Sequence, residues 1–214
     1  MKKVQLSSVK EIAGNVYILS LDYRPDFIPG QVIELTEDLA LPPRIYSICS
    51  APGNKTMEIL FDIKEEGRLT KKMSGMKAGD TIFAGDPMGN FICPMNEKAW
   101  WIASGTGIAP FASMFFSGNI YNKVIIHGGK KLESFYFQKE FERVLNEKYI
   151  RCCTREKSEK VYNGRLTAWL KEQESFPPDY KYYLCGSSEM VVQTRDILVS
   201  KGIEFDSVIA EIYF

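Results

Sequence analysis

Along the first half of the chain, apolar residues come in short runs or in alternation with polar ones. Residues 16–21, 32–35, 45–49, 57–63 and 81–84 each read as a strand. Turn formers separate them at Pro25, Pro29-Gly30, Pro42-Pro43, Pro52-Gly53 and Gly79-Asp80. One helix is expected among them, over residues 69–76. Short strands at this spacing predict an antiparallel barrel, closed so that no edge stays exposed. Beyond residues 94–97, read as a linker too short for freely moving domains, the pattern changes. Strand-like runs at 100–103, 124–127, 149–153, 182–185 and 208–209 alternate with helical patterns at 110–116, 134–146, 166–172 and 189–200. That alternation predicts a doubly wound parallel sheet, whose ligands sit beyond the carboxyl ends of its strands. The expected division is 1–96 and 97–214.

Composition narrows the possible partners. The 214 residues carry 27 Lys plus Arg against 27 Asp plus Glu, with 45% hydrophobic and 25% charged positions. A balanced chain has no bulk electrostatic attraction for nucleic acid or an anionic membrane. No apolar run approaches the roughly 20 residues that span a bilayer. Lys2 and Lys3 are followed by no apolar stretch of the secretory kind. A soluble, cytoplasmic chain is therefore expected. The five cysteines are odd in number, and four lie in apolar or strand-like segments, which suits buried free thiols in a reducing compartment. With no Cys-x-x-Cys pair and one histidine, His127, no metal site is expected.

Several short segments carry candidate chemistry. In Arg44-Ile45-Tyr46-Ser47, strand alternation puts Arg44 and Tyr46 on one face and Ser47 on the other. A cation, a flat ring and a hydroxyl are what a flavin needs, although an Arg and a Tyr on a strand are more often only that. Gly67-Arg68-Leu69-Thr70 opens a helix whose free N–H groups suit a phosphate, or is simply a capped turn. Ser104-Gly105-Thr106-Gly107 follows a buried strand and leads into a helix with Pro110 in its first turn. Its glycines let backbone approach a pyrophosphate, although the G-x-G-x-x-G fingerprint is interrupted by that proline. Cys185-Gly186, with Met190 further on, forms a second strand end, glycine and helix. His127 ends a strand and either borders a nucleotide or serves the structure. The chain closes on Glu211-Ile212-Tyr213-Phe214, unusually aromatic for a terminus.

In this order, the segments resemble the ferredoxin–NADP reductase family over nearly the whole chain. The family's R-x-Y-S signature is matched by Arg44, Tyr46 and Ser47, and its second flavin segment by Gly67 to Thr70, including Leu69. Its nucleotide loop is matched by Gly105, Thr106, Gly107 and Pro110, its C-G-x-x-x-M by Cys185, Gly186 and Met190, and its terminal acid-x-aromatic by Glu211 and Tyr213. The resemblance implies a six-stranded antiparallel flavin-binding barrel followed by a doubly wound parallel-sheet nucleotide-binding domain. It implies FAD, with FMN as the alternative, and NADPH, with NADH as the alternative. Arg44 would pair with flavin phosphate, Tyr46 would pack on the ring, and Tyr213, or else Phe214, would cover the opposite face as a gate. Ser47, Cys185 and Glu211 would surround the reacting atoms. Thr154, Arg155 and Arg165 would receive a 2′-phosphate, with Glu156 as an opposing charge nearby. The implied acceptor is a separate carrier, ferredoxin or flavodoxin, or a small molecule. The alternatives are a flavin/NADH reductase subunit of a multicomponent oxygenase or dehydrogenase, and a non-catalytic flavin-binding regulatory module.

Overall fold

The computed structural model describes residues 1–213, and of Tyr213 only the backbone. The chain forms two compact units. One comprises Met1–Ile92 with Ala109–Gly118, the other Cys93–Ile108 with everything from Asn119 onward.

The first unit holds six strands: β1 (Lys2–Ala13), β2 (Val16–Leu21), β3 (Val32–Thr36), β4 (Arg44–Ser47), β5 (Met57–Asp62) and β6 (Thr81–Ala84). They lie in the order β4-β3-β6-β1-β2-β5, every pairing antiparallel. The two end strands meet just past β4. Ile48 bridges Ile59, and the Cys49 N–H donates to the Glu58 carbonyl at 2.8 Å, which closes the sheet into a barrel. Leu19, Leu21, Ile33, Leu35, Ile48 and Ile59 fill the interior.

Five of these strands follow the apolar pattern; β1 does not. It pairs with β6 through residues 2–5 and with β2 from Leu6 onward, and its register shifts between Leu6 and Ser8 and again between Glu11 and Ala13. Each irregularity breaks the two-residue period that marks a strand in sequence. Helix α1 (Arg68–Ser74) buries Leu69 and Met73 against the barrel core. Helix α2 (Ala109–Phe116) belongs to this unit as well: Phe111 packs at 5.6 Å from Phe91, and the Ser113 hydroxyl donates to the Ser50 carbonyl at 2.7 Å.

The second unit is a six-stranded parallel sheet made of β7 (Ala99–Ser104), β8 (Lys123–Gly129), β9 (Tyr149–Cys153), β10 (Tyr162–Asn163), β11 (Lys181–Ser187) and β12 (Val208–Tyr213). Their order is β10-β9-β8-β7-β11-β12. The chain winds outward from β7 in one direction through β8, then in the other through β11, so the topological switch lies between β7 and β11. Helices α4 (Leu166–Glu172) and α5 (Ser188–Ser200) bury Leu166, Leu170, Val191 and Leu198 in one core cluster with Ile102, Ile126 and Leu184. Helix α3 (Gln138–Leu145) lays Phe141 on Tyr149, at 5.3 Å between ring centres.

One local expectation changes, and two features add to the reading. The helix expected from residue 134 starts at Gln138, because Phe137 takes a left-handed conformation, φ 59°, and a 3-10 turn occupies Leu132–Ser134. Strand β10, two residues long, is too short to leave a period. Residues 94–97, expected as a short linker, are held by the second unit. The buried Lys123 ammonium donates to the carbonyls of Met95, Glu97 and Tyr121 at 3.2, 2.6 and 2.9 Å, which ties the segment to the second unit.

Candidate functional site

In the first unit, the candidate groups gather on β4 and at the start of α1. Arg44 is exposed, Tyr46 is half-buried against the barrel core, and Ser47 is buried. Tyr46 pairs with Ile33 across the sheet and Ser47 with Val32. Burial pushes the Tyr46 phenol up to about 12, against the lowering effect of the Arg44 charge beside it. The ring is therefore a neutral surface at any working pH. At the next segment, Thr70 is not the spare hydroxyl that its position promises. Its oxygen accepts from the Lys64 N–H at 3.3 Å and donates to the Gly67 carbonyl at 3.2 Å, which fastens the turn from within. Leu69 faces the core. This segment offers a ligand its backbone, with Arg68 paired to Glu37 at 3.0 Å.

In the second unit, the groups gather at the carboxyl ends of β7 and β11, at the topological switch. The turn Gly105–Ile108 leaves β7 as a single 3-10 turn, with Gly105 at φ +55°. A Cβ on Gly105 would meet nothing within 4 Å. At Gly107 it would lie 2.3 Å from the Cys185 carbonyl oxygen, so only glycine lets this turn pack on the end of β11. Gly186 sits at φ +150°, and a Cβ there would lie 2.3 Å from the Ser104 hydroxyl and 2.8 Å from the Met190 methyl. Ser187 caps α5, accepting the Met190 N–H at 3.4 Å. Pro110 is buried in the first turn of α2.

Cys185 and Glu211 are paired residues on β11 and β12, and the thiol reaches the carboxylate at 3.9 Å. These two are thus brought together, whereas Ser47 stands in the other unit. The Tyr213 side chain and the whole of Phe214 lie outside the described residues. At the far side of the sheet, Thr154 and Arg155 follow β9, both exposed, and Arg165 precedes α4 with its guanidinium 3.2 Å from Glu189. Glu156 is tethered by the Leu132 N–H, which it accepts at 2.7 Å. The ion pair and this tether join residues 24 positions apart, and nothing in the local pattern marks them. Among the described residues, no cluster of His, Cys, Asp and Glu could hold a metal ion, and no helix is long and apolar enough to cross a membrane.

This arrangement has relatives. Residues 101–196 match the oxidoreductase NAD-binding domain family. Ferredoxin–NADP reductase A of Sorangium cellulosum is 30% identical over 193 residues, covering 75% of this chain and 68% of that protein. A probable dihydroorotate dehydrogenase B (NAD(+)) electron transfer subunit of Pyrococcus furiosus is 26% identical over 205 residues, covering 95% and 77%. Among solved structures, a ferredoxin NADP+ reductase from Neisseria gonorrhoeae with bound FAD and NADP superposes with a TM-score of 0.90 over 100% of this chain and 98% of that one. At 21% identity, that likeness speaks for the fold.

Proposed function

Because this chain belongs to the ferredoxin–NADP reductase family of flavin oxidoreductases, we propose that it oxidises NADPH through FAD and delivers the electrons singly to a ferredoxin- or flavodoxin-type carrier. The observation that carries this reading is the glycine cradle at the sheet's switch point. Gly105 is open and left-handed, and Gly107 and Gly186 are packed where no Cβ fits, which suits a backbone built to approach a pyrophosphate. The flavin side rests on Arg44, Tyr46, Ser47 and the Gly67–Thr70 backbone, a donor set that fits a phosphate-bearing planar ring. In functional terms, residues 1–96 serve the flavin and 97–214 the nucleotide.

FAD, when bound, takes up electrons in pairs as hydride from NADPH and gives them out one at a time. The residues of the chain bind, orient and exclude water. Arg44 neutralises flavin phosphate, and Tyr46 supplies a neutral apolar face that does not titrate near neutral pH. With FAD held there, Ser47 would offer its hydroxyl to the flavin ring. Cys185 and Glu211, joined to each other, shape the nicotinamide end of the site. Hydride transfer itself needs no general base, so none is assigned; orientation of the reactants would supply the catalysis. At the adenosine end, Arg155 and Arg165 receive the 2′-phosphate beside Thr154, guanidinium being suited to that oxyanion. The five buried thiols accord with a reducing, cytoplasmic setting.

The test is a titration of FAD-reconstituted protein with NADPH and with NADH under argon, followed by addition of ferredoxin or flavodoxin. Bleaching of the flavin by NADPH at lower concentration than by NADH, and reoxidation by the carrier, is expected. Protein that stays colourless after reconstitution and desalting overturns the reading. A second reading has its own support. The Pyrococcus furiosus relative, similar over 95% of this chain, is named an NAD(+)-linked electron transfer subunit. On that reading NADH is the donor and the acceptor is a stable partner subunit, which affinity purification from the native host would recover.

A further inference from the structure

We propose that His127 is a positioning residue for the nucleotide-binding turn: its imidazole, steadied by Tyr149, holds the Gly105–Thr106 peptide so that the Thr106 N–H is aimed at the dinucleotide phosphate. This rests on the function proposed above and adds to it a residue outside the binding turn.

The chain has one histidine, and it is fully buried. It lies on β8 opposite Ala103 of β7, two residues before Gly105. Its Nε2 is 3.4 Å from the Gly105 carbonyl oxygen, and its Nδ1 is 3.1 Å from the Tyr149 hydroxyl. A carbonyl only accepts, so Nε2 carries the proton and Nδ1 accepts from the Tyr149 O–H. Both partners are thereby assigned one role each. Phe135 packs edge-on to the ring at 5.4 Å between centres. Burial holds the ring far below its usual range, at about 3, and keeps the Tyr149 phenol protonated. The pair is therefore neutral and fixed in polarity at any physiological pH.

A satisfied core histidine would look similar, but the acceptor here is not an ordinary core carbonyl. Gly105 is the first residue of the turn and sits at φ +55°, a conformation with alternatives open to glycine that other residues lack. In a planar trans peptide, the carbonyl and the following N–H point in opposite directions. Anchoring the Gly105 oxygen on His127 therefore directs the Thr106 N–H away from the sheet interior, next to the open space around Gly105. Releasing the anchor frees that peptide to rotate and bury the N–H.

Two measurements on the full-length, tag-free, flavin-loaded protein test this. Proton–nitrogen correlation spectra of the single histidine should show a neutral ring protonated on Nε2 from pH 8 down to pH 5. An Nδ1-protonated or charged ring would overturn the proposal. Calorimetric titration with NADP+ and NAD+ should then give tight binding to wild type by at least one of them. His127→Gln, which can donate to Gly105 and accept from Tyr149, should bind within about threefold of wild type, and His127→Phe, which fills the space without donating, about tenfold more weakly. The kcat at saturating NADPH should change less than about twofold in either. Folded His127→Phe that binds as wild type does would overturn the role. Should His127→Phe fail to fold, Tyr149→Phe takes its place, with about threefold weaker binding and the Nε2-protonated ring retained; unchanged affinity would overturn it. Wild type that binds neither nucleotide sinks the proposed function as a whole, an outcome distinct from loss of this role alone.

Discussion

A methyl group on Gly107 would stand 2.3 Å from the carbonyl oxygen of Cys185, with the Gly186 Cα only 2.8 Å away. The obstacle is backbone on the neighbouring strand, so it cannot swing aside as a side chain would. Gly107→Ala should therefore part the ends of β7 and β11, at a cost of about 1–3 kcal/mol in stability. Nucleotide binding should weaken at least about tenfold, while flavin content stays near that of wild type. Thermal melts and NADP+ titration read both effects. A Gly107→Ala protein with wild-type affinity would show that this packing does not serve the ligand.

The two arginines at the adenosine end predict a difference between nucleotides. Arg165 and Glu189 are both largely exposed, so their 3.2 Å ion pair is worth little and is readily exchanged for a phosphate. Arg155→Ala and Arg165→Ala should each weaken NADPH by about tenfold or more and NADH by less than about twofold. Glu189→Gln should leave NADPH binding intact or slightly tighter. Equal losses for the two nucleotides in steady-state kinetics would exclude the clamp.

All five cysteines are buried, and none is joined in a disulfide among the described residues. Burial pushes Cys93 up to about 11 and Cys152 up to about 12, so little thiolate exists at neutral pH. The native protein should react with a thiol-specific chromogenic reagent at less than one site within minutes, then at all five after denaturation. Rapid native reaction at several sites would mean that the core opens far more readily than its packing suggests.

Acid should act on the fold through His127. Its proton affinity is depressed on folding, from 6.5 to about 3. Between those values the unfolded chain binds a proton that the folded chain refuses. Stability is therefore full above 6.5 and lost as the pH falls toward 3, by about 1.4 kcal/mol for each pH unit in that window. His127→Gln lacks this contribution, and its urea midpoint should fall less between pH 7 and pH 4.5. Parallel curves for the two proteins would mean that the ring titrates in the native state.

The legible parts of the fold share a cause. Strands β7, β8 and β11 are covered on both faces and read as largely apolar runs. Strand β1 hides behind its two register shifts, and Phe137 delays α3 through a backbone conformation that composition does not advertise. The glycine turn and the Cys185–Gly186 segment could be found in sequence because close backbone approach demands glycine. The Glu156 tether, the Arg165–Glu189 pair and the bond from His127 to Gly105 could not, since each depends on which distant residue the fold delivers as a partner.

Helix α2 lies beyond β7 in the chain yet packs with the barrel, seating Phe111 on Phe91 and Ser113 on Ser50. The barrel's own covering is thus encoded downstream of the first strand of the other unit. No single cut in the gene separates the two units whole. A fragment ending at residue 92 would expose the seat that Phe111 fills, and a chimera joined there would need to import its own α2. Modular exchange of either half by one recombination event is thereby discouraged, and the two halves are expected to be inherited together.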